Sequence, residues 1–180
     1  AYLARADKLP HRTEGEKELL DQIPAQAKRI LDLGTGDGRL LALLKLRNPQ
    51  IVGVALDFSE PMLAQARKHF GNDQRVQIVK HDFSRPLPAK ELGCFDVVVS
   101  SLAIHHLVHE RKRTLYREVF RLLNPGGVFC NLEHVSSPTM NVHAKFLAAI
   151  GCTPENEDPS NKLLDVETQL RWLRQIGYVD

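Results

Sequence analysis

Cysteine is scarce in this chain. The three present, Cys94, Cys130 and Cys152, are too few and too scattered for a disulfide scaffold or a metal knuckle. An odd count, with no basic leader ahead of an apolar run and a small-residue cleavage site, fits reduced thiols and leads to the expectation of a cytoplasmic protein. Long apolar runs are also missing. All fall well short of the ~20 residues that cross a bilayer, so no membrane span and no membrane partner are expected. Neither sign of charge dominates: Lys+Arg number 24 against Asp+Glu 22, a formal net charge of +2. That balance gives no overall electrostatic case for nucleic acid. Repeats and low-complexity tracts are absent. What is present, 43% apolar and 26% charged residues over 180 positions, is the composition of an ordinary globular chain, long enough for one domain with a sizeable core.

The order of apolar runs and breakers reads as alternating strand and helix. Thr13 and Glu16 have capping-box spacing, which predicts a helix over Glu14 to Ile23. Strands are expected at Arg29 to Leu33, Ile51 to Leu56, Val76 to Val79, Phe95 to Val99 and Val128 to Val135. Helices are expected from Asp37 to Leu46, after Ser59 with Pro61 in the first turn, and from Arg111 to Leu123. Asn124-Pro125-Gly126-Gly127 reads as a turn. Continuous apolar strands suit a sheet covered on both faces. The expected fold is therefore α/β: a doubly wound, mostly parallel sheet with helices on both faces, a three-layer sandwich.

Within the single domain 1–180, residues 1–27 form an N-terminal helix and cover, and residues 28–135 form the core. Residues 136–164 form an insertion, with a helix over Val142 to Ile150 and a polar loop from Thr153 to Asn161. Residues 165–180 form a last helix capped by Asp165 and the opening of a sixth strand, Gly177 to Asp180, which suggests that a closing hairpin has been cut off.

Asp32-Leu33-Gly34-Thr35-Gly36-Asp37-Gly38 is the most informative segment. It follows one strand and opens a helix, at the edge of a parallel sheet where ligands bind. Glycines permit the tight turn and close approach, and the helix start offers free N–H donors. A dinucleotide fingerprint wants glycine at the sixth position from Gly34, where Arg39 stands. The acidic Asp32 would repel pyrophosphate but suit an ammonium. Asp57, ending the second strand about 20 residues on, can accept from two ribose hydroxyls. Asp82, ending the third, can accept from an exocyclic amine, with Phe83 flanking the ring.

On these segments, together with Val54-Ala55-Leu56-Asp57-Phe58-Ser59, His81-Asp82-Phe83, Phe95-Asp96-Val97-Val98-Val99-Ser100-Ser101 and Leu123-Asn124-Pro125-Gly126-Gly127, the chain resembles the class I S-adenosylmethionine-dependent methyltransferases from Arg29 to Asp180. The resemblance implies a Rossmann-like fold and S-adenosylmethionine as cofactor. It implies that Gly34 and Gly36 line the methionine part and Asp32 helps hold its amino group. Asp57 would take the ribose, with Phe58 beside the adenine. Asp82 and Phe83 would meet the adenine amine and its neighbouring nitrogen, and the Ser100 backbone would lie near the methionine. A family sheet has seven strands, the last antiparallel; this sequence stops at the sixth.

Methyl transfer from a sulfonium is an in-line displacement that needs mainly alignment and a water-poor pocket, and a base only if the acceptor must lose a proton. His105 and His106, after the fourth strand, are the candidate bases. The competing reading is that Ile104 and Leu107 pack while one histidine merely hydrogen-bonds and caps a short helix. His134, ending the fifth strand, is a further candidate. Arg12 could fork onto the cofactor carboxylate, and Tyr2 could belong to an N-terminal cover. Trp172 and Leu173 read as core. The histidines lack ligand spacing with a carboxylate or thiol partner, so no metal is expected.

Ser100-Ser101-Leu102-Ala103 stands where amino-nitrogen methylases of this family carry an Asn/Asp-Pro-Pro-aromatic segment. No cysteine sits beside proline as in cytosine-carbon enzymes, and the paired-glutamate loop of arginine methylases is missing. A small-molecule acceptor is the expectation, without appended RNA-binding module. The alternatives are a cofactor-binding module that no longer transfers methyl groups, a methyltransferase acting on RNA or protein, and, against the glycine pattern, a nicotinamide oxidoreductase. Acceptor identity and oligomeric state are not legible.

Overall fold

The structure is a computed structural model that describes residues 12–179; Tyr2 and Asp180 lie outside the described residues. In chain order the elements are α1 (Arg12–Asp21), β1 (Arg29–Leu33), α2 (Arg39–Arg47), β2 (Val52–Asp57), α3 (Glu60–Phe70), β3 (Val76–Lys80) and a short α4 (Ala89–Leu92). Then come β4 (Phe95–Ser101), a 3-10 turn (Ile104–His106), α5 (His109–Leu122), β5 (Leu123–Leu132), α6 (Met140–Ala149) and α7 (Val166–Ile176). Five strands form one sheet in the order β3-β2-β1-β4-β5, and every pairing is parallel. The α/β reading of the sequence holds.

Alternate strand residues serve opposite faces, which is why both faces need helices. On one face Ile30, Ala55, Val97, Val99 and Cys130 pack with Leu19, Leu40, Leu41 and Leu44, so α1 and α2 cover it. On the other, Leu31, Val54, Leu56 and Val98 meet Leu115, Tyr116, Val119 and Leu122 of α5, with Trp172, Leu173 and Ile176 of α7 outside them. The apolar spacing of α5 and α7 thus becomes one helical layer, and Trp172 and Leu173, partly buried, pack against the core from its outside.

Three local expectations need correction. Thr13 is not a cap: it lies inside α1, and Glu16 is buried and takes guanidinium groups rather than a backbone N–H of the cap. The turn Asn124-Pro125-Gly126-Gly127 does not precede the fifth strand but interrupts it. Leu123 pairs with Phe95 and Val128 with Val97, so four residues loop out opposite Asp96. The strand then ends at Leu132, short of Val135, which frees the last residues for the sheet edge. Finally, Gly177, Tyr178 and Val179 join no strand among the described residues. Tyr178 folds back instead, its ring 5.0 Å from Phe120 and its hydroxyl donating to the Tyr116 carbonyl at 2.9 Å.

Asp96 explains the excursion. Its Oδ2 accepts from the backbone N–H of Lys28 at 2.9 Å and of Arg29 at 3.0 Å, and its Oδ1 accepts from Asn124 Nδ2 at 2.8 Å. One carboxylate therefore ties the starts of β1, β4 and β5. We expect Asp96→Ala to lower stability by about 2 kcal/mol, because several charge-assisted bonds are lost at once. Urea unfolding checks this, and an unchanged midpoint would contradict it.

Candidate functional site

Parallel pairing sends the ends of all five strands to one edge, and the expected site residues other than Arg12 lie at or just past those ends. After β1 the chain turns through Gly34, Gly36 and Gly38, with φ of 71°, 57° and 87°. The N–H groups of Gly34 and Thr35 donate to the Leu56 carbonyl at 2.8 and 3.0 Å, folding the loop across the end of β2. A Cβ on Gly34 would stand 2.3 Å from the Ala103 methyl and 3.4 Å from Phe83. The bare backbone is thus required there, and the segment after β4 presses directly against the glycine loop.

Asp57, 7% exposed, braces that loop: Oδ2 accepts from Gly36 N at 2.9 Å and Oδ1 from Ser59 N at 2.8 Å. Each oxygen keeps acceptor capacity for another donor. Phe58 beside it is 63% exposed, a large apolar ring facing solvent at the site edge. Asp32 is buried and accepts from Thr35 Oγ1 at 2.7 Å. Burial pushes its pKa up to about 7, against the Thr35 bond that pulls it down, and the Asp57 and Asp37 charges push it further up. Asp82 is exposed, its pKa lowered chiefly by hydrogen bonding from Ser84. Phe83 is buried in the core cluster. Ser100 is buried, and its hydroxyl donates to the Leu33 carbonyl at 2.8 Å. Arg12 Nε donates to buried Glu16 at 2.9 Å, and Arg39 forks onto the same carboxylate. Arg12 is therefore held against the start of α2, beside the glycine loop.

The histidines form a cluster. The His105 and His106 rings lie 4.0 Å apart, and His134 is 5.1 Å from His105. His105 is buried, and its Nδ1 meets Glu133 Oε1 at 2.5 Å. Glu133 also accepts from the backbone N–H of His105 at 2.8 Å and of His134 at 2.9 Å. A carboxylate has only acceptors, so Nδ1 is the donor in this contact, and in a neutral ring the lone pair is on Nε2. His106 Nδ1 sits 2.9 Å from Ser160 Oγ, which donates to Asp158 at 2.7 Å. Burial, then the neighbouring His105, lowers the pKa of both His106 and His134. Sequence reasoning missed Glu133, although it stands next to His134 at the end of a strand. It also missed Lys112 and Ser160, which approach only through tertiary folding.

Residues 136–163 enclose a cleft of about 830 Å³, lined among others by Ser136, Thr139, Met140, His143, Glu157 and Asp158. Among the described residues no group of three or more His, Cys, Asp or Glu is placed to hold a metal, and no helix is long and apolar enough to cross a membrane.

The methyltransferase-domain family matches residues 30–127, from β1 through the glycine excursion of β5. This chain belongs to that family. It is of the class I, S-adenosylmethionine-dependent type, with that compound as cofactor. The chain is 38% identical over 128 residues to the malonyl-[acyl-carrier protein] O-methyltransferase of a Marinomonas species, covering 69% of this chain and 46% of that one. It is 30% identical over 170 residues to the demethylmenaquinone methyltransferase of Clavibacter sepedonicus, covering 86% and 67%. The chain thus spans about half to two thirds of these relatives. An O-methyltransferase family protein from Burkholderia thailandensis superposes with a TM-score of 0.72 at 18% identity, covering 94% of this chain and 51% of that one, and shows the shared fold.

The glycine backbone admits no side chain at Gly34, and the buried Asp32 carboxyl is of a type that could meet an ammonium. In the free protein Asp32 has a consequence for stability. Its folded pKa of about 7 lies above the ordinary 3.8, so between these values the folded chain holds a proton that the unfolded chain releases. Stability is greatest below that window and is lost as pH rises through it, by at most about 4 kcal/mol. Asp32→Asn should flatten this slope. Urea unfolding at pH 5 and pH 8 reads it, and identical slopes for the two proteins would sink the assignment.

Proposed function

We propose that the protein transfers the methyl group of S-adenosylmethionine to a small-molecule acceptor, with His105 as general base. The observation that supports this most directly is the packing of Ala103 against Gly34. It sets the turn carrying His105 and its Glu133 partner beside the glycine loop, so cofactor-binding and proton-accepting groups share one sheet edge.

On this reading Gly34 and Gly36 give backbone access and Asp32 faces the cofactor's ammonium. Asp57 accepts from the ribose hydroxyls while bracing the loop, and Phe58, Asp82 and Phe83 border the adenine. The Ser100 backbone borders the methionine, and Arg12 serves its carboxylate from beside the loop. The bound cofactor supplies a methyl group already activated on a sulfonium. The chain's own work is alignment, exclusion of water and removal of one proton. Glu133 fixes the His105 tautomer, so that Nε2 is the atom that accepts the proton. His106, held by Ser160, is the second candidate for that task.

The acceptor side is assigned to residues 136–164 and their cleft. The two relatives named above carry different acceptors in their names, a malonyl-[acyl-carrier protein] and a demethylmenaquinone. That contrast favours a common donor half with an acceptor chosen elsewhere, and a small carboxylic acid or quinol-like oxygen or carbon acceptor here.

Calorimetric titration with S-adenosylhomocysteine tests the donor half. Asp57→Ala should weaken binding at least about tenfold with the fold retained, the loss of hydrogen bonds to a charged acceptor; an unchanged Kd would contradict the ribose assignment. Tritiated S-adenosylmethionine offered to a panel of carboxylic acids, phenols and quinols tests the acceptor half. Label entering small molecules, and falling about 10²–10⁴-fold in His105→Ala while S-adenosylhomocysteine still binds, is the expected result. Label entering only RNA or protein, or binding without turnover on any acceptor, would replace this reading.

A further inference from the structure

Lys112 lies in the first turn of α5 and is 1% exposed. Two forces oppose a cation there: loss of hydration and the positive end of the helix. Burial pulls its ammonium down to about 8, opposed by the Glu133 charge. What holds it is complete saturation. An ammonium has three N–H donors, and Lys112 Nζ donates to the carbonyls of His105 at 3.1 Å, of Leu107, and of Lys162 at 2.7 Å.

These acceptors come from two places. His105 and Leu107 belong to the turn after β4, whereas Lys162 belongs to the distant segment that walls the cleft. Three further contacts join the same two pieces of chain. Lys162 N donates to the His105 carbonyl at 2.9 Å, Ser160 Oγ meets His106 Nδ1 at 2.9 Å, and His109 Nε2 meets the Leu163 carbonyl at 3.1 Å. A neutral side chain could staple two backbones with less desolvation cost. The ammonium instead offers three donors to three carbonyls at one point, one of them the carbonyl of His105, whose ring Glu133 grips.

We propose that Lys112 is a positioning residue: its buried ammonium fastens the 158–163 segment to the His105 turn, so that the acceptor wall and the base are set in register. This rests on the reading of His105 and the 136–164 region given above. The ammonium acts through the His105 backbone carbonyl and touches no reacting atom.

The wild-type protein offers the first test. A lysine ammonium saturated by three buried carbonyls exchanges its protons slowly, so in ¹⁵N-labelled protein at pH 7 and 25 °C the Lys112 ammonium signal should be visible. Its absence would overturn the clamp without any variant. The second test is Lys112→Met, which keeps length and removes charge. S-adenosylhomocysteine should bind within about twofold of wild type. Amide exchange at Lys162 should speed up about tenfold, equivalent to a hydrogen bond weakened by about 1.4 kcal/mol, and the low-field Nδ1 proton of His105 should shift or broaden. Faster exchange at Lys162 with an unmoved His105 proton would leave a mere staple and overturn the positioning role. No change in either would overturn the proposal entirely. If the variant does not fold, the wild-type ammonium signal decides. Failure of the wild type to bind S-adenosylhomocysteine would strike the proposed function instead, while the His105 proton still reports on Lys112.

Discussion

A parallel strand cannot return to its neighbour through a tight turn, and everything chemical in this protein follows from that constraint. With β1 paired in parallel to both β2 and β4, and β4 to β5, each crossover runs over a face and each strand end faces the same edge. The glycine loop, Asp57, Asp82, the His105 turn and Glu133 are far apart in sequence and neighbours in space for this reason alone. The strand order β3-β2-β1-β4-β5 puts Asp57 and Asp82 on one side of β1 and His105, His106 and His134 on the other.

The site is stiffened by polar atoms that serve the fold and the chemistry together. Asp57 braces the Gly36 and Ser59 amides, so the carboxylate is already aimed and its loop already closed. Glu133 does the same for His105, accepting its ring proton and its amide. Buried acceptors of this kind are costly unless saturated, and here saturation also fixes geometry. Glu16 plays a comparable part behind the loop, holding Arg12 and Arg39 on one buried carboxylate and thereby setting α1 against α2.

Most of the fold was legible because its signals are local. The β1 limits were read correctly from Arg29 to Leu33, since glycine follows an unbroken apolar run. Asp165 was read as a cap and accepts from Thr168 N at 2.7 Å. Local signals also misled where a tertiary partner outbid them. Thr13 and Glu16 have cap spacing, yet two arginines claim Glu16. Asn124-Pro125-Gly126-Gly127 has turn chemistry, yet Asp96 holds it inside a strand. Gly177 to Val179 has strand composition, yet Tyr178 finds Phe120, Phe129 and the Tyr116 carbonyl.

The sequence by itself determined the alternation of strands and helices, the glycine loop and the placing of acids and histidines at strand ends. Those features depend on side-chain periodicity and backbone freedom over a few residues. Only the tertiary structure decided that Glu133 grips His105, that Asp32 is buried enough to hold its proton, and that Lys112 reaches across to Lys162. These depend on burial and on contacts between residues tens of positions apart, and neither burial nor long-range contact is written in any short stretch of chain.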